Sequence, residues 1–279
     1  MPEADAASTK AQRLAVLGAG KMATALVQGI VEAGLIPQAS VVASDPNPAA
    51  IGAFVQATGA AQAATNAEAA AKADVVLIAV KPQHLPAVLA EIADALPAGA
   101  LVVSVAAGVT LTQLSAGLPI RTRAIRVMPN TPCLIGRGAS VFARGPGATD
   151  ADAELVAALL GSVGYASEAP ESQLDAVTGL SGSGPAYVYA VIQALGDAGV
   201  REGLPRALAS ELAARTVAGA AEMVLQTGEH PSLLAEAVTS PGGTTAAGLA
   251  ALSEHNLQHA LAEAVHAATN RSRELGQNR

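Results

Sequence analysis

The fold of the N-terminal half is decided by the stretch RLAVLGAGKMATAL, residues 13–26. A short apolar run ends at Leu17, and the pattern Gly18-x-Gly20-x-x-Ala23 follows it and opens an amphipathic segment. The first glycine permits a sharp turn, the second lets backbone approach a pyrophosphate, and the small third residue allows close helix–strand packing. This context predicts a dinucleotide-binding unit, although a plain tight turn between strand and helix has the same pattern.

Further apolar runs alternate with helical segments along the chain. The runs at 40–44, 73–80 and 101–105 are continuous and rich in β-branched residues, as in strands buried on both faces of a parallel sheet, and 123–127 is a weaker version. Strands that alternate with helices favour an α/β fold. We therefore predict a Rossmann-type, doubly wound parallel sheet.

The character of the sequence changes after about residue 170, where strand-like runs disappear. Before this point, residues 150–162 predict a last helix and residues 163–169 predict an edge strand. After it, residues 185–195 and 204–226 predict helices with few charges. The predicted organisation is a flexible polar tail at 1–12, a dinucleotide-binding Rossmann domain at 13–169 and an all-helical C-terminal domain at 170–279.

The composition of the chain argues against nucleic-acid-binding and membrane proteins. The chain has 279 residues, 51% of them hydrophobic and 2% aromatic, and a net charge of −7. An acidic chain without dense basic runs disfavours nucleic acid and anionic membrane as partners. No apolar run is long enough for a membrane span, and the N-terminus lacks the apolar core of a signal peptide. We expect a soluble, cytoplasmic protein.

Loops that follow the predicted strands should meet at the carboxyl edge of the sheet, where open α/β sheets bind ligands. One such loop holds Ser44, Asp45 and Asn47. An acidic residue there accepts a hydrogen bond from the ribose 2′-hydroxyl of NAD, whereas NADP favours hydroxyls, amides or arginine, so this loop is ambiguous and leans to NAD. Lys81, in a second loop, either reaches the cofactor or is a solvated lysine before a helix.

The segment TSPGGTTAAGL, residues 239–249, sets two adjacent glycines and several hydroxyls between helical segments. A tight turn explains Pro-Gly-Gly but not the hydroxyls of Ser240, Thr244 and Thr245. A helix start at this turn would offer backbone N–H groups to a carboxylate. Reduction of a C=N bond fits such a site, because a protonated imine needs hydride delivery and one hydrogen-bond partner. A helix N-cap decorated with hydroxyls is the simpler alternative.

Residues for other chemistries are sparse. The helical half has no lysine, which disfavours a lysine-dependent hydroxyacid dehydrogenase unless Lys81 fills that role. His255 and His259 have the spacing of a zinc pair, but no acidic third ligand is clearly placed, so we expect surface or interface histidines and no metal. Cys133 has no evident partner base and is interpreted as a packing residue.

With these motifs the chain resembles the pyrroline-5-carboxylate reductase family, which completes proline biosynthesis. The resemblance runs from about residue 13 to 276, with every motif in order. The matching motifs are GAGKMATAL at 18–26, AVKP at 79–82, VVSVAAGVT at 102–110, RVMPNTP at 126–132, DAVTGLSGSGPAYVY at 175–189, GLPR at 203–206 and TSPGGTT at 239–245. It implies reduction of 1-pyrroline-5-carboxylate to L-proline by NADPH or NADH.

The resemblance also assigns site residues. Together with the local chemistry at Ser44, it implies cofactor contacts at Gly18, Ala19, Gly20, Lys21, Met22, Asp45, Asn66, Val80, Lys81 and Ala107. It implies substrate contacts at Glu171, Ser240, Gly243, Thr244 and Thr245, with the Thr245 hydroxyl as the catalytic hydrogen-bond partner of the ring nitrogen. Some relatives carry serine at position 45, so NADP(H) is expected from the family while Asp45 leaves NAD(H) open. Ala237 replaces a family asparagine.

The resemblance further implies that the helical domains interlock into a homodimer and that dimers assemble into a decamer. Two rival functions remain open: a β-hydroxyacid-type dehydrogenase on the same two-domain plan, and a non-catalytic NAD(P)-sensing protein. Fluorescence of NAD(P)H with and without a cyclic imino acid distinguishes them, because a sensor binds the cofactor without oxidising it.

Overall fold

The structure is a computed structural model that describes residues 13–120 and 122–277, so the predicted tail at 1–12 lies outside the described residues. The strands are β1 (Leu14–Leu17), β2 (Val41–Ser44), β3 (Ala61–Gln62), β4 (Val75–Ile78), β5 (Leu101–Ser104), β6 (Arg123–Met128), β7 (Gly138–Arg144) and β8 (Gly164–Glu168). The helices are α1 (Lys21–Glu32), α2 (Pro48–Thr58), α3 (Asn66–Ala70), α4 (Leu85–Ile92), α5 (Leu111–Ala116), α6 (Asp150–Gly161), α7 (Leu174–Val177), α8 (Gly184–Arg201), α9 (Arg206–Thr227), α10 (Pro231–Ala237), α11 (Thr244–Glu254) and α12 (Leu257–Gln277). In this part of the chain no helix is both long and apolar enough to cross a membrane.

The strands form one sheet in the order β3-β2-β1-β4-β5-β6-β7-β8. Strands β2 and β3 lie on one side of β1, and β4 and the later strands lie on the other side, as in dinucleotide-binding sheets. Leu17 pairs with both Ser44 of β2 and Ile78 of β4. The loops that follow these three strands therefore leave the sheet side by side at its carboxyl edge.

One pair of strands departs from the predicted all-parallel sheet. Strand β7, which the sequence did not predict, runs antiparallel to β6, while β8 is the edge strand as expected. The connection from β6 to β7 contains only a short 3₁₀ segment, Thr131–Ile135. A parallel connection needs a crossover of a dozen or more residues, so a link this short must return the chain antiparallel.

The core lies on both faces of the sheet because successive strand residues point to opposite sides. Leu14 and Val16 of β1 belong to a core shared with α1, α2 and α6, and Ala15 and Leu17 belong to a second core shared with α3, α4 and α5. Burial on both faces accounts for the continuous apolar runs of these strands. The sheet is thus fixed from both sides, and its carboxyl edge carries the loops described below.

The described chain divides into two compact units. One contains the residues up to Gly182 together with those from Ala268 onward, and the other is Ser183–Ala267. In the first unit the end of α12 contacts the segment after β5, since Gln113 Nε2 donates to the carbonyl of Gly276 at 3.0 Å. Compactness is a different criterion from domain identity, so the boundary predicted near residue 170 stays a prediction.

The second unit is helical and has almost no interior. Of its described residues only Gly196, Ala209 and Ala213 are buried. Large apolar side chains of this unit stay exposed: Val188, Tyr189, Leu195, Leu204, Leu208, Leu212, Met223, Leu225, Leu233, Val238, Leu249, Leu252 and Leu261. An exposed apolar surface of this extent marks an interaction surface.

Candidate active site

The loop between β1 and α1 has the geometry that its glycines predict. Gly18 has φ +95°, and a Cβ placed there would lie 2.8 Å from the carbonyl oxygen of Ala79, so only glycine fits. Gly20 is the N-cap of α1 with φ −77° and ψ 175°, no side chain caps the helix, and a Cβ at Gly20 would meet nothing within 4 Å. Open space in front of uncapped N–H groups fits the pyrophosphate of a dinucleotide.

A cavity of about 620 Å³ lies at this carboxyl edge of the sheet, beside the ends of β1, β2 and β4. Predicted cofactor residues that line it are Gly18, Gly20, Ser44, Asp45, Asn66, Val80 and Lys81. Other predicted residues lie outside its lining: Ala19 is buried, Met22 packs on the core, and Lys21 and Ala107 are exposed. The cofactor contacts of all eleven residues stay predictions.

Asp45 joins the loop after β2 to the glycine loop. Its Oδ2 accepts a hydrogen bond from the amide of Ala19 at 2.8 Å, and its Oδ1 accepts one from the amide of Asn47 at 2.8 Å. The carboxylate is therefore part of the structure of the cavity as well as the predicted partner of the ribose. Each oxygen keeps accepting capacity for a ligand hydroxyl.

Asn66 is held between two side chains of the cavity wall. Ser44 Oγ donates to Asn66 Oδ1 at 2.5 Å, and Asn66 Nδ2 donates to Glu91 Oε2 at 2.7 Å. Sequence reasoning missed Glu91 and His84 as wall residues. Their spacing was a usable signal for the wall, because Val88 and Glu91 lie three residues apart on α4 and His84 is the N-cap of that helix.

The structure places Glu171 in an ion-pair network of the first unit. Its Oε1 accepts hydrogen bonds from Arg126 Nη1 at 3.1 Å and from the amide of Leu111 at 2.6 Å. Arg126 is buried on β6, and its Nη2 also faces Asp175 Oδ1 at 3.5 Å. A buried guanidinium requires such partners, which gives Glu171 a structural role. The substrate contact predicted for Glu171 stays a prediction.

The turn at 239–245 shares with the glycine loop a glycine at the N-cap of the following helix, although a Cβ at Gly243 would overlap Ser240 Oγ whereas one at Gly20 meets nothing. Gly242 has φ +69°, and Gly243 is the N-cap of α11 with φ −79° and ψ 174°, close to the values at Gly20. No side chain caps α11 within the described residues, so the hydroxyls of the turn do not act as the N-cap that the simpler alternative required. Thr245 is half-buried, and Ser240 and Thr244 are exposed. The helix start can receive an anion, with hydroxyls beside it.

The remaining candidate residues are placed as follows. Cys133 is buried, and burial raises the pKa of its thiol, which keeps it protonated and unreactive, as expected of a packing residue. Among the residues that the structure describes, no group of three or more His, Cys, Asp or Glu side chains is arranged to hold a metal ion.

Two family models match the chain. Residues 171–275 match pyrroline-5-carboxylate reductase dimerisation, and residues 13–108 match NADP oxidoreductase, coenzyme F420-dependent. The pyrroline-5-carboxylate reductase of Arabidopsis thaliana is 45% identical over 269 residues, which cover 95% of this chain and 96% of that protein. That of Methanosarcina acetivorans is 42% identical over 265 residues, covering 95% and 98%.

Solved structures agree with the sequence relatives. The pyrroline carboxylate reductase of Plasmodium falciparum with NADP bound has a TM-score of 0.86 and 32% identity, covering 95% of this chain and 98% of that chain. A pyrroline-5-carboxylate reductase from Coxiella burnetii has a TM-score of 0.90 and 32% identity, covering 95% and 99%.

Proposed function

The chain belongs to the family of pyrroline-5-carboxylate reductases, and we propose that its two glycine-capped helix starts hold the two reactants of that family's reaction. The protein is an oxidoreductase that reduces the C=N bond of 1-pyrroline-5-carboxylate to L-proline with NADP(H). The observation that carries the assignment is the matching backbone geometry of the N-cap glycines Gly20 and Gly243, at helix starts with no side-chain cap. One helix start receives the cofactor pyrophosphate, and the other receives the substrate carboxylate.

The proposed cofactor site is the cavity at the carboxyl edge of the sheet. The amides at the start of α1 bind the pyrophosphate, and Asp45, Ser44 and Asn66 form the wall that meets the adenosine ribose. Lys81, which lines the same cavity, provides a cation for the phosphates. When bound, the reduced nicotinamide supplies the hydride.

The proposed substrate site is the start of α11. The amides of Thr244 and Thr245 point out of an uncapped helix and hold the carboxylate of 1-pyrroline-5-carboxylate. The Thr245 hydroxyl donates to or accepts from the ring nitrogen and so orients the C=N bond for reduction. Ser240 and Gly243 complete the cradle, since Ser240 lies where a side chain at position 243 would have to go. If the imine binds protonated, its ring N–H donates to the Thr245 hydroxyl, hydride addition gives the neutral amine, and no side chain has to transfer a proton.

The test is loss of absorbance at the reduced-nicotinamide band with 1-pyrroline-5-carboxylate, run in parallel with NADPH and NADH. We expect consumption with NADPH, and the ratio of the two kcat/KM values measures the preference of a site that contains Asp45 for NADPH over NADH. Binding of the cofactor without consumption of either would favour a sensor. Consumption only with a hydroxyacid would favour the β-hydroxyacid dehydrogenase.

We also propose that the helical unit forms a homodimer, that dimers assemble into a decamer, and that the protein works in the cytoplasm. The match of residues 171–275 to a dimerisation family and the exposed apolar side chains of Ser183–Ala267 support the dimer. A unit with so few buried residues gains its core from a second copy, as in obligate dimers. The decamer rests on the family resemblance, and the single, unpaired Cys133 suits a reducing compartment.

The dimer proposal predicts the effect of Leu212→Glu. Leu212 lies on α9 and is 46% exposed in the single chain, so burying a carboxylate there in a dimer would be unfavourable. We expect a lower sedimentation coefficient than for the wild type, because the variant forms a smaller assembly, and we expect lower activity. The control is Ile135→Glu, which places the same charge at an exposed apolar residue of the first unit. An unchanged assembly in Leu212→Glu would contradict an interface on this face.

A further inference from the structure

Glu91 lies on the wall of the cofactor cavity and holds Asn66 by two hydrogen bonds. Asn66 Nδ2 donates to Oε2 at 2.7 Å, and the backbone amide of Asn66 donates to Oε1 at 3.1 Å. Ser44 Oγ donates to Asn66 Oδ1 at 2.5 Å. Side chains from the end of β2, the start of α3 and α4 thus form one continuous series, called here the Ser44–Asn66–Glu91 chain.

The carboxylate fixes the direction of every bond in this chain. A carboxylate can only accept, so Asn66 must turn its Nδ2 toward Glu91 and its Oδ1 toward Ser44. Ser44 then donates its only hydroxyl hydrogen to Asn66, so it can only accept a hydrogen bond from a ligand. A different residue at position 91, able to donate, would leave the amide of Asn66 free to rotate and Ser44 free to donate.

The part of the cavity wall formed by Asp45 also offers only hydrogen-bond acceptors. Asp45 accepts from two backbone amides and, as a carboxylate, offers only accepting oxygens to a ligand. Asp45 and Glu91 line the same cavity, which therefore carries two negative charges near the end of the second strand. That position meets the 2′ substituent of the adenosine ribose.

The two forms of the cofactor present opposite chemistry at that position. NADH offers a 2′-hydroxyl, which can donate to an accepting wall, whereas NADPH offers a 2′-phosphate, which is negatively charged and rich in acceptors. Accepting oxygens and two carboxylates complement the hydroxyl and repel the phosphate. Ser44 could donate to a phosphate only by releasing Asn66.

We propose that Glu91 is a positioning residue that determines cofactor specificity: it sets the polarity of the Ser44–Asn66–Glu91 chain and lowers the affinity for NADPH relative to NADH. Glu91 acts through Asn66 and by its charge, without a bond to the nicotinamide. The inference rests on the cofactor cavity of the proposed function and deepens it. The enzyme still uses NADP(H), and Glu91 limits how strongly that form is preferred.

The test compares dissociation constants for NADPH and NADH, measured by nicotinamide fluorescence without substrate, in the wild type and Glu91→Gln. Glutamine is isosteric, removes the charge and introduces a donor. We expect the ratio of Kd for NADH to Kd for NADPH to rise about tenfold, as expected for removing one charge at partly solvated range from a phosphate. Salt at about 1 M should shrink the part of this shift that comes from charge.

Two further variants separate charge from position. Glu91→Asp keeps the charge and the accepting character but is one methylene shorter, so it loses one of the two bonds to Asn66. We expect weaker binding of both cofactors with the wild-type ratio retained. Glu68→Gln removes a carboxylate from α3 that accepts from the amide of Ala64 at 2.7 Å and does not line the cavity. We expect no change in the ratio for this control.

The outcomes are distinguishable. An unchanged ratio in Glu91→Gln, with both cofactors bound, would overturn the inference and leave the reductase function standing. A shift of equal size in Glu68→Gln would also overturn it, because net charge alone would then explain the result. Failure of the wild type to bind either cofactor would contradict the cofactor cavity itself.

Discussion

Replacing Thr245 by alanine is expected to lower kcat for 1-pyrroline-5-carboxylate by about a hundredfold or more, the usual effect of removing one positioned hydrogen-bond partner at the reacting group. The hydroxyl belongs to the start of α11, at a half-buried residue that has no capping bond to lose. Alanine is also the best helix former, so the fold should retain its stability. Steady-state kinetics at saturating NADPH, with a thermal melt of the same sample, measure both effects.

Two variants serve as controls for that prediction. Thr245→Ser keeps the hydroxyl and should recover most of the lost turnover. Thr239→Ala removes a hydroxyl from the same turn, but that hydroxyl donates to the carbonyl of Ala235 at 2.6 Å and should matter only for local stability. If kcat is unchanged in Thr245→Ala, the ring nitrogen has another partner. If Thr239→Ala is equally slow, the effect belongs to the geometry of the turn.

The features that depend on neighbouring residues were predictable from the sequence. The glycine loop, the buried parallel strands and the turn at 239–245 each leave a local pattern, because backbone conformation and two-sided burial restrict residue choice within a few positions. Gly243 is such a case, because its near neighbour Ser240 leaves no room for a Cβ at the start of α11.

Features that depend on distant partners were not predictable in the same way. Glu91 bonds to Asn66, and Glu171 bonds to Arg126, across 25 and 45 positions of sequence. The sequence around either glutamate does not indicate which distant residue it bonds to. Strand β7 was missed for a related reason: GASVFAR mixes small and polar residues, and pairing with β6 rather than its own pattern makes it a strand.

Gly20→Ala is expected to weaken binding of NADPH by about tenfold to a hundredfold, the effect of forcing an extra methyl group into a fitted contact. A Cβ at Gly20 meets no atom of the chain within 4 Å, and the backbone angles there suit alanine. The added methyl group therefore occupies only the space reserved for the pyrophosphate. Loss of the glycine N-cap should cost about 1 kcal/mol of unfolding free energy or less. Fluorescence titration and chemical denaturation measure the two quantities separately.

Gly18→Ala should lower the free energy of unfolding more than Gly20→Ala does. Gly52→Ala should change neither NADPH affinity nor stability. At Gly18 a Cβ would lie 2.8 Å from a backbone carbonyl oxygen at φ +95°, so we expect about 2–4 kcal/mol of lost stability from strain and overlap. Gly52 lies within α2, where a Cβ meets nothing and alanine favours the helix. Tight NADPH binding by Gly20→Ala would mean that the pyrophosphate does not approach the start of α1. The helix start would then be open for another reason, and the parallel with Gly243 would lose its support.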